Sequence, residues 1–185
     1  MPGYTSIEHR VNFMLRISHP EPDAILIYYG NNDLNWSWVR DIDTKLIYDR
    51  EAASDPGWLN RLIDDGHRTN IKVAIGSFAN GFDEAGSPGR FTTEESKLGV
   101  PTVGRWFDNL GALGARRSFP IYNAMVCDIA TASGVPLAEP AIRVQRTSEY
   151  FADWRHFTAK GEQLMAQIWF ETVEQPGWLA RAPGH

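Results

Sequence analysis

The 185-residue chain predicts an α/β fold built on a parallel sheet, and three observations predict it. Two apolar runs rich in β-formers, Ala24-Ile25-Leu26-Ile27-Tyr28-Tyr29 and residues 71–78, show no polar alternation, as strands covered on both faces do. Segments with helical spacing lie between and after these runs. Polar clusters follow the first run and precede the last helix, where strands that alternate with helices place a functional site.

Taken in order, residues 4–18 predict an amphipathic helix with Ile7, Val11, Met14 and Leu15 at helical spacing. His19-Pro20-Glu21-Pro22 ends it, because proline cannot continue a helix and biases the residue before it to extended geometry. The first strand then runs into Gly30-Asn31-Asn32-Asp33. Within residues 34–70, Trp36, Trp38 and the run Asp41 to Tyr48 have no clean period, and residues 58–63 predict a short helix with Leu59, Leu62 and Ile63 on one face. A second strand occupies residues 71–78. Residues 79–104, rich in glycine and polar residues, predict a long excursion rather than core; loops of that length usually cover a site or move. Residues 119–132 predict a helix closed by Ser133-Gly134, with glycine in its usual place past a helix end. A third strand is expected over 135–144. A closing helix is expected over 158–173, patterned by Leu164, Met165, Ile168 and Trp169.

Composition narrows the function. Hydrophobic residues at 43% and charged residues at 22% are ordinary for a globular chain, and no repeat or boundary divides residues 1–185, so one domain is expected. A net charge of -5 argues against nucleic acid as a partner. No apolar run approaches the roughly 20 residues that span a bilayer. Residues 1–10 are polar and do not read as a signal peptide. One cysteine, Cys127, excludes an internal disulfide and any zinc site of several thiolates; its apolar helical surroundings read as packing.

Two clusters can carry chemistry. Asp153-Trp154-Arg155-His156 sets a carboxylate and an imidazole three residues apart in a short loop. That spacing lets the aspartate accept from one ring nitrogen and leaves the other as a general base. The same string also reads as a helix cap beside a surface histidine. In Gly30-Asn31-Asn32-Asp33, an asparagine amide at a strand end can donate to a developing oxyanion, and glycine lets substrate approach the backbone. The same residues also read as a turn whose Asn and Asp tolerate unusual backbone angles.

In order along the chain, these segments resemble the SGNH (GDSL-type) ester hydrolases. DAILIYYGNNDL is similar to their third block, a strand running into G-x-N-D. YFADWRHFTAKGEQLMA is similar to the fifth block, D-x-x-H followed by a helix. MPGYTSIEHR is similar to the second, in which a glycine precedes a polar turn and a helix. IYNAMVCDIATASGVPLAEP fits the late helix and strand, whereas residues 34–70 and 79–118 match no block. The resemblance implies a flavodoxin-like three-layer α/β/α fold and a serine-dependent hydrolase of carboxylic esters with no metal or organic cofactor. It implies that Gly3 donates its N–H and Asn32 its side-chain amide to an oxyanion hole. His156 would be general base and later acid, and Asp153 would orient it. Gly30 and Asp33 would support the turn. Trp36, Trp38 and Trp154 could line a hydrophobic or sugar-stacking pocket, or pack the core. The small-molecule substrates would be esters of small acids, lipids or acetylated sugars.

The family's first block, G-D-S-L, carries the attacking serine, and no such block stands before the second block here. Ser87, between glycines, lacks a strand-to-helix pattern, and Ser6 reads as a turn or helix-start residue. The first two strands would be absent with the block. The run from Ala24 to Tyr29 would then have an unpaired edge without charge or proline to blunt it, open to strand pairing or oligomerisation. The expectation is that Met1 is internal to a longer protein. The alternatives are a non-catalytic binding protein that keeps the pocket, and a two-chain hydrolase whose partner supplies the serine. Asp33, Asp153 and His156 could converge on a metal, but an asparagine among them suits an oxyanion better than a cation.

Overall fold

A computed structural model of the chain describes residues 10–17, 22–28, 57–83, 90–105 and 111–178. Among these residues, three parallel strands form one sheet in the order β1 (Ala24–Tyr28), β2 (Lys72–Gly76), β3 (Leu137–Ala138). Ala24 is in register with Lys72, and Ile75 with Leu137. Five α-helices accompany them: α1 (Gly57–Arg68), α2 (Thr93–Lys97), α3 (Gly111–Ser133), α4 (Pro140–Arg143) and α5 (Ala159–Glu174).

Glycines show how the layers stack. A Cβ on Gly66 of α1 would run into Val73, so α1 lies on the Val73 face of β2. A Cβ on Gly76 would stand 2.6 Å from the Trp169 ring, so α5 lies on the other face. Residues 73 and 76 of one strand point to opposite sides, which makes the arrangement a three-layer α/β/α sandwich. Leu59, Leu62 and Ile63 of α1, Phe119, Tyr122 and Val126 of α3, and Met165 and Ile168 of α5 share one apolar core with the strands. No described helix is long and apolar enough to cross a membrane.

Several expectations are corrected. The chain is helical over residues 10–17, but Phe13 is the residue it buries, while Val11, Met14 and Leu15 are exposed. Its last turn, Phe13–Ile17, is a π-helix, whose wider turn shifts the side chains out of the expected phase. β1 is not covered on both faces: Ile27 is buried but Leu26 is 50% exposed. Residues 79–83 and 95–100 are not a peripheral excursion, since Ala79, Phe82, Leu98 and Val100 lie in the core. α3 starts eight residues before the expected Phe119 and carries Pro120 inside it. A proline N–H is missing there, yet the packing of Ala115 and Phe119 sustains the preceding turns. β3 is only two residues long because Pro140 opens α4 directly after it. Gly134 does end α3 in the left-handed region, at φ 66°.

Candidate active site

The loop before α5 is built locally. Phe151 and Phe157 form an antiparallel bridge with their rings 4.9 Å apart, and Thr158 N–H donates to the Tyr150 carbonyl at 2.9 Å. Thr158 then caps α5 by accepting from Gly161 N–H. Gly161 is required because any Cβ there would meet the Tyr150 carbonyl oxygen. The closure leaves residues 152–156 as a tight turn, with Ala152 N–H donating to the His156 carbonyl at 2.8 Å.

Within that turn Asp153 and His156 meet. His156 Nδ1 lies 2.7 Å from Asp153 Oδ2, while Oδ1 accepts from the backbone N–H groups of Arg155 and His156, both at 2.9 Å. Burial works to raise the Asp153 carboxyl, but the bonds from the His156 ring and these two N–H groups outweigh it and hold the group below the usual carboxylate range. The His156 side chain is 61% exposed. Among the described residues, none hydrogen-bonds to its Nε2, which leaves a ring nitrogen able to exchange a proton.

The turn sits beside the segment that leaves the C-terminal end of β2. Gly81 N–H donates to the Trp154 carbonyl at 2.8 Å, and a Cβ on Gly81 would stand 3.1 Å from Trp154 Cα. Trp154 itself is 5% exposed, with its ring against Phe82 and Phe119. Core packing is the reading these surroundings support for it. Gly3, Gly30, Asn32, Asp33, Trp36 and Trp38 lie outside the described residues. So do Ser6 and Ser87.

Sequence reading missed the polar floor under this segment. Asn123 of α3 accepts from Phe78 N–H at 2.7 Å and donates to its carbonyl at 3.1 Å. Tyr28 Oη accepts from Ala79 N–H at 3.0 Å, and burial pushes its phenol well above the usual range. Asn80 accepts from Phe82 N–H, and the buried Glu95 accepts from Asp83 N–H at 2.9 Å. Only one of these carried a readable signal: Thr92-Thr93-Glu94-Glu95 has capping-box spacing, and Thr92 and Glu95 do form that box. Cys127 is half-buried on α3; burial, then the charges of Glu139 and Asp128, push its thiol up, which disfavours a nucleophile there. A cleft of about 360 Å³ lined by His67, Asn70, Lys72, Pro136 and Trp178 lies at the other end of the sheet, where β2 begins, and the dyad does not line it.

Among solved structures, the chain is similar to a GDSL-like lipase from Bacteroides thetaiotaomicron, with a TM-score of 0.63 and 17% identity over 94% of this chain and 73% of that one. The chain has the SGNH hydrolase fold. It is likewise similar to Axe2, an acetylxylan esterase from Geobacillus stearothermophilus, with a TM-score of 0.62 and 13% identity over 93% of this chain and 68% of that one. Two further Axe2 structures are of catalytic mutants, one with a serine and one with a histidine replaced by alanine. No protein-family model matches the sequence, and no curated protein matches it. On this SGNH scaffold, the dyad occupies the end of the sheet where α/β folds place their chemistry.

Proposed function

We infer that residues 1–185 form a single SGNH-type domain that serves the hydrolysis of carboxylic esters, with His156 as general base and Asp153 as its orienting partner. The 2.7 Å contact between His156 Nδ1 and Asp153 Oδ2 carries this reading, because it commits one ring nitrogen and reserves the other. In the reaction, Nε2 takes the proton of a serine hydroxyl as its oxygen attacks the ester carbonyl carbon. The same proton then passes to the leaving alcohol. Water, activated by His156 in turn, attacks the acyl-enzyme and releases the acid and the serine. Gly3 N–H and the Asn32 amide, at the end of β1, would hold the oxyanion, with Gly30 and Asp33 shaping that turn. Trp36 and Trp38 would line the substrate pocket. The likeness to an acetylxylan esterase supports small acyl groups, acetylated sugars included.

The attacking serine is not assigned to any serine of this chain. None stands in a G-D-S-L block, and among the described residues none hydrogen-bonds to His156. The 185 residues alone should therefore hydrolyse an activated acetyl ester at close to the uncatalysed rate. The protein as its source cells make it should turn the ester over, with a loss of roughly a thousandfold on His156→Ala. Unchanged turnover in that variant would overturn the assignment. The alternative reading is a binding protein that keeps the SGNH pocket; saturable binding of an ester without turnover in the source protein would select it.

A further inference from the structure

The dyad is exposed, but Trp154, one of the two residues between its members in the chain, is buried and anchored. Its carbonyl accepts from Gly81 N–H at 2.8 Å. Gly81 belongs to a segment without regular secondary structure, so its position depends on what holds it. Two residues on, Asp83 N–H donates to Glu95 Oε1 at 2.9 Å. Glu95 is 1% exposed and is clamped by Arg116, 5% exposed, whose Nη2 reaches both carboxylate oxygens at 2.7 Å. Glu95 Oε2 accepts from Thr92 N–H at 2.8 Å. Arg116 also donates to the Arg90 carbonyl at 3.0 Å and lies over the Phe91 ring.

A buried ion pair gives no stability advantage over apolar residues of the same volume, so stability alone does not explain its presence. Its position offers another reason. Adjacent Glu94, on the outer side of α2, accepts from Ser148 N–H and Oγ–H at 2.9 and 3.0 Å, three residues before Phe151. One short helix thus grips the dyad loop near its start and, through Asp83 and Gly81, at its middle.

We propose that the Glu95–Arg116 pair is a positioning unit for the dyad: it fixes residues 81–83, which fix Trp154 and so the turn that brings Asp153 to His156 Nδ1. This rests on the reading of His156 as the general base, but its test needs no substrate. Neutral histidine in water prefers its proton on Nε2, whereas a base working through Nε2 needs the proton on Nδ1, where Asp153 accepts it. Ring ¹⁵N shifts of the neutral His156 imidazole report which tautomer is present.

The Nδ1–H tautomer is expected in the unmodified chain. Two double variants separate positioning from packing. Glu95→Gln/Arg116→Met removes both charges but keeps an amide oxygen for Asp83 N–H, and should keep the Nδ1–H tautomer. Glu95→Leu/Arg116→Met removes that acceptor, and should turn Nε2–H into the major form. A merely structural pair would lower Tm and leave the tautomer alike in both, and that result overturns the proposal. Amide exchange of the unmodified chain tests it without any variant: Gly81 and Asp83 should exchange at least ~100-fold slower than unprotected amides. Exchange at the unprotected rate overturns it as well. If the tautomers respond as expected while no form of the protein hydrolyses esters, the positioning unit stands and the hydrolase reading falls.

Discussion

Asp153 divides its two oxygens between different tasks, one for the His156 ring and one for two backbone N–H groups. Both partners lie within three residues, which is why D-x-x-H was readable from sequence, whereas the contacts that anchor the turn at Trp154 were not. The folded carboxyl sits below its usual pKa, so its contribution to stability is present above the unfolded value near 3.9 and is lost as pH falls through the lower folded value. Asp153→Asn should accordingly flatten the fall in Tm below about pH 4; an unchanged acid limb would show that the hydrogen bonds do not hold in solution. In the source protein the same substitution should lower kcat by roughly a hundredfold or more, because the amide no longer favours the working tautomer. Gly161 was not readable as a requirement, since its neighbour, the Tyr150 carbonyl, is set by loop closure. Gly161→Ala overpacks that contact and should destabilise by about 1–3 kcal/mol, a fall in Tm of several degrees by calorimetry.

At the scale of elements, the sequence announces helices and strands where the pattern is strong and misplaces them where tertiary contacts decide. Leu59, Leu62 and Ile63 of α1 and Gly134 after α3 follow local rules and stand where those rules put them. Residues 79–104 do not. Their glycines and polar side chains suggested a surface excursion, yet Asn80 is buried on partners in its own turn, and Glu95 on Asp83 and Arg116, 12 and 21 residues distant. Nothing in a linear pattern pairs Glu95 with Arg116. Removing one partner leaves the other charge buried, so Arg116→Met alone should cost about 3–5 kcal/mol in urea unfolding, far more than the paired change with Glu95. Glu94, half-buried at the surface, shows the opposite case. Hydrogen bonds from Lys97, then from Ser148, lower its carboxyl to about 2. Its tie to Ser148 is thus kept above the ordinary glutamate range and released as pH falls toward about 2, and Glu94→Gln should remove that acid-dependent step from the Ser148 amide exchange profile.

For the whole molecule, the parallel α/β class was legible because buried parallel strands read as unbroken apolar runs and helices as periodic ones, while the three layers came from the family resemblance. The covering of β1 was not. A run of apolar residues reads alike whether one face or both are covered, and Leu26 at 50% exposed settles that only in three dimensions. Among the described residues β1 pairs on one side, with β2. Leu26→Lys in the 185-residue chain should change stability by no more than about 0.5 kcal/mol and reduce any self-association seen by sedimentation. A large loss of stability would mean that another element covers that face.

The most direct test of the account is covalent. A fluorophosphonate that reports base-activated serines should be applied to the protein as its source cells make it, and the modified peptide mapped by mass. The account predicts one labelled serine, with labelling abolished by His156→Ala. Labelling indifferent to His156 would contradict it.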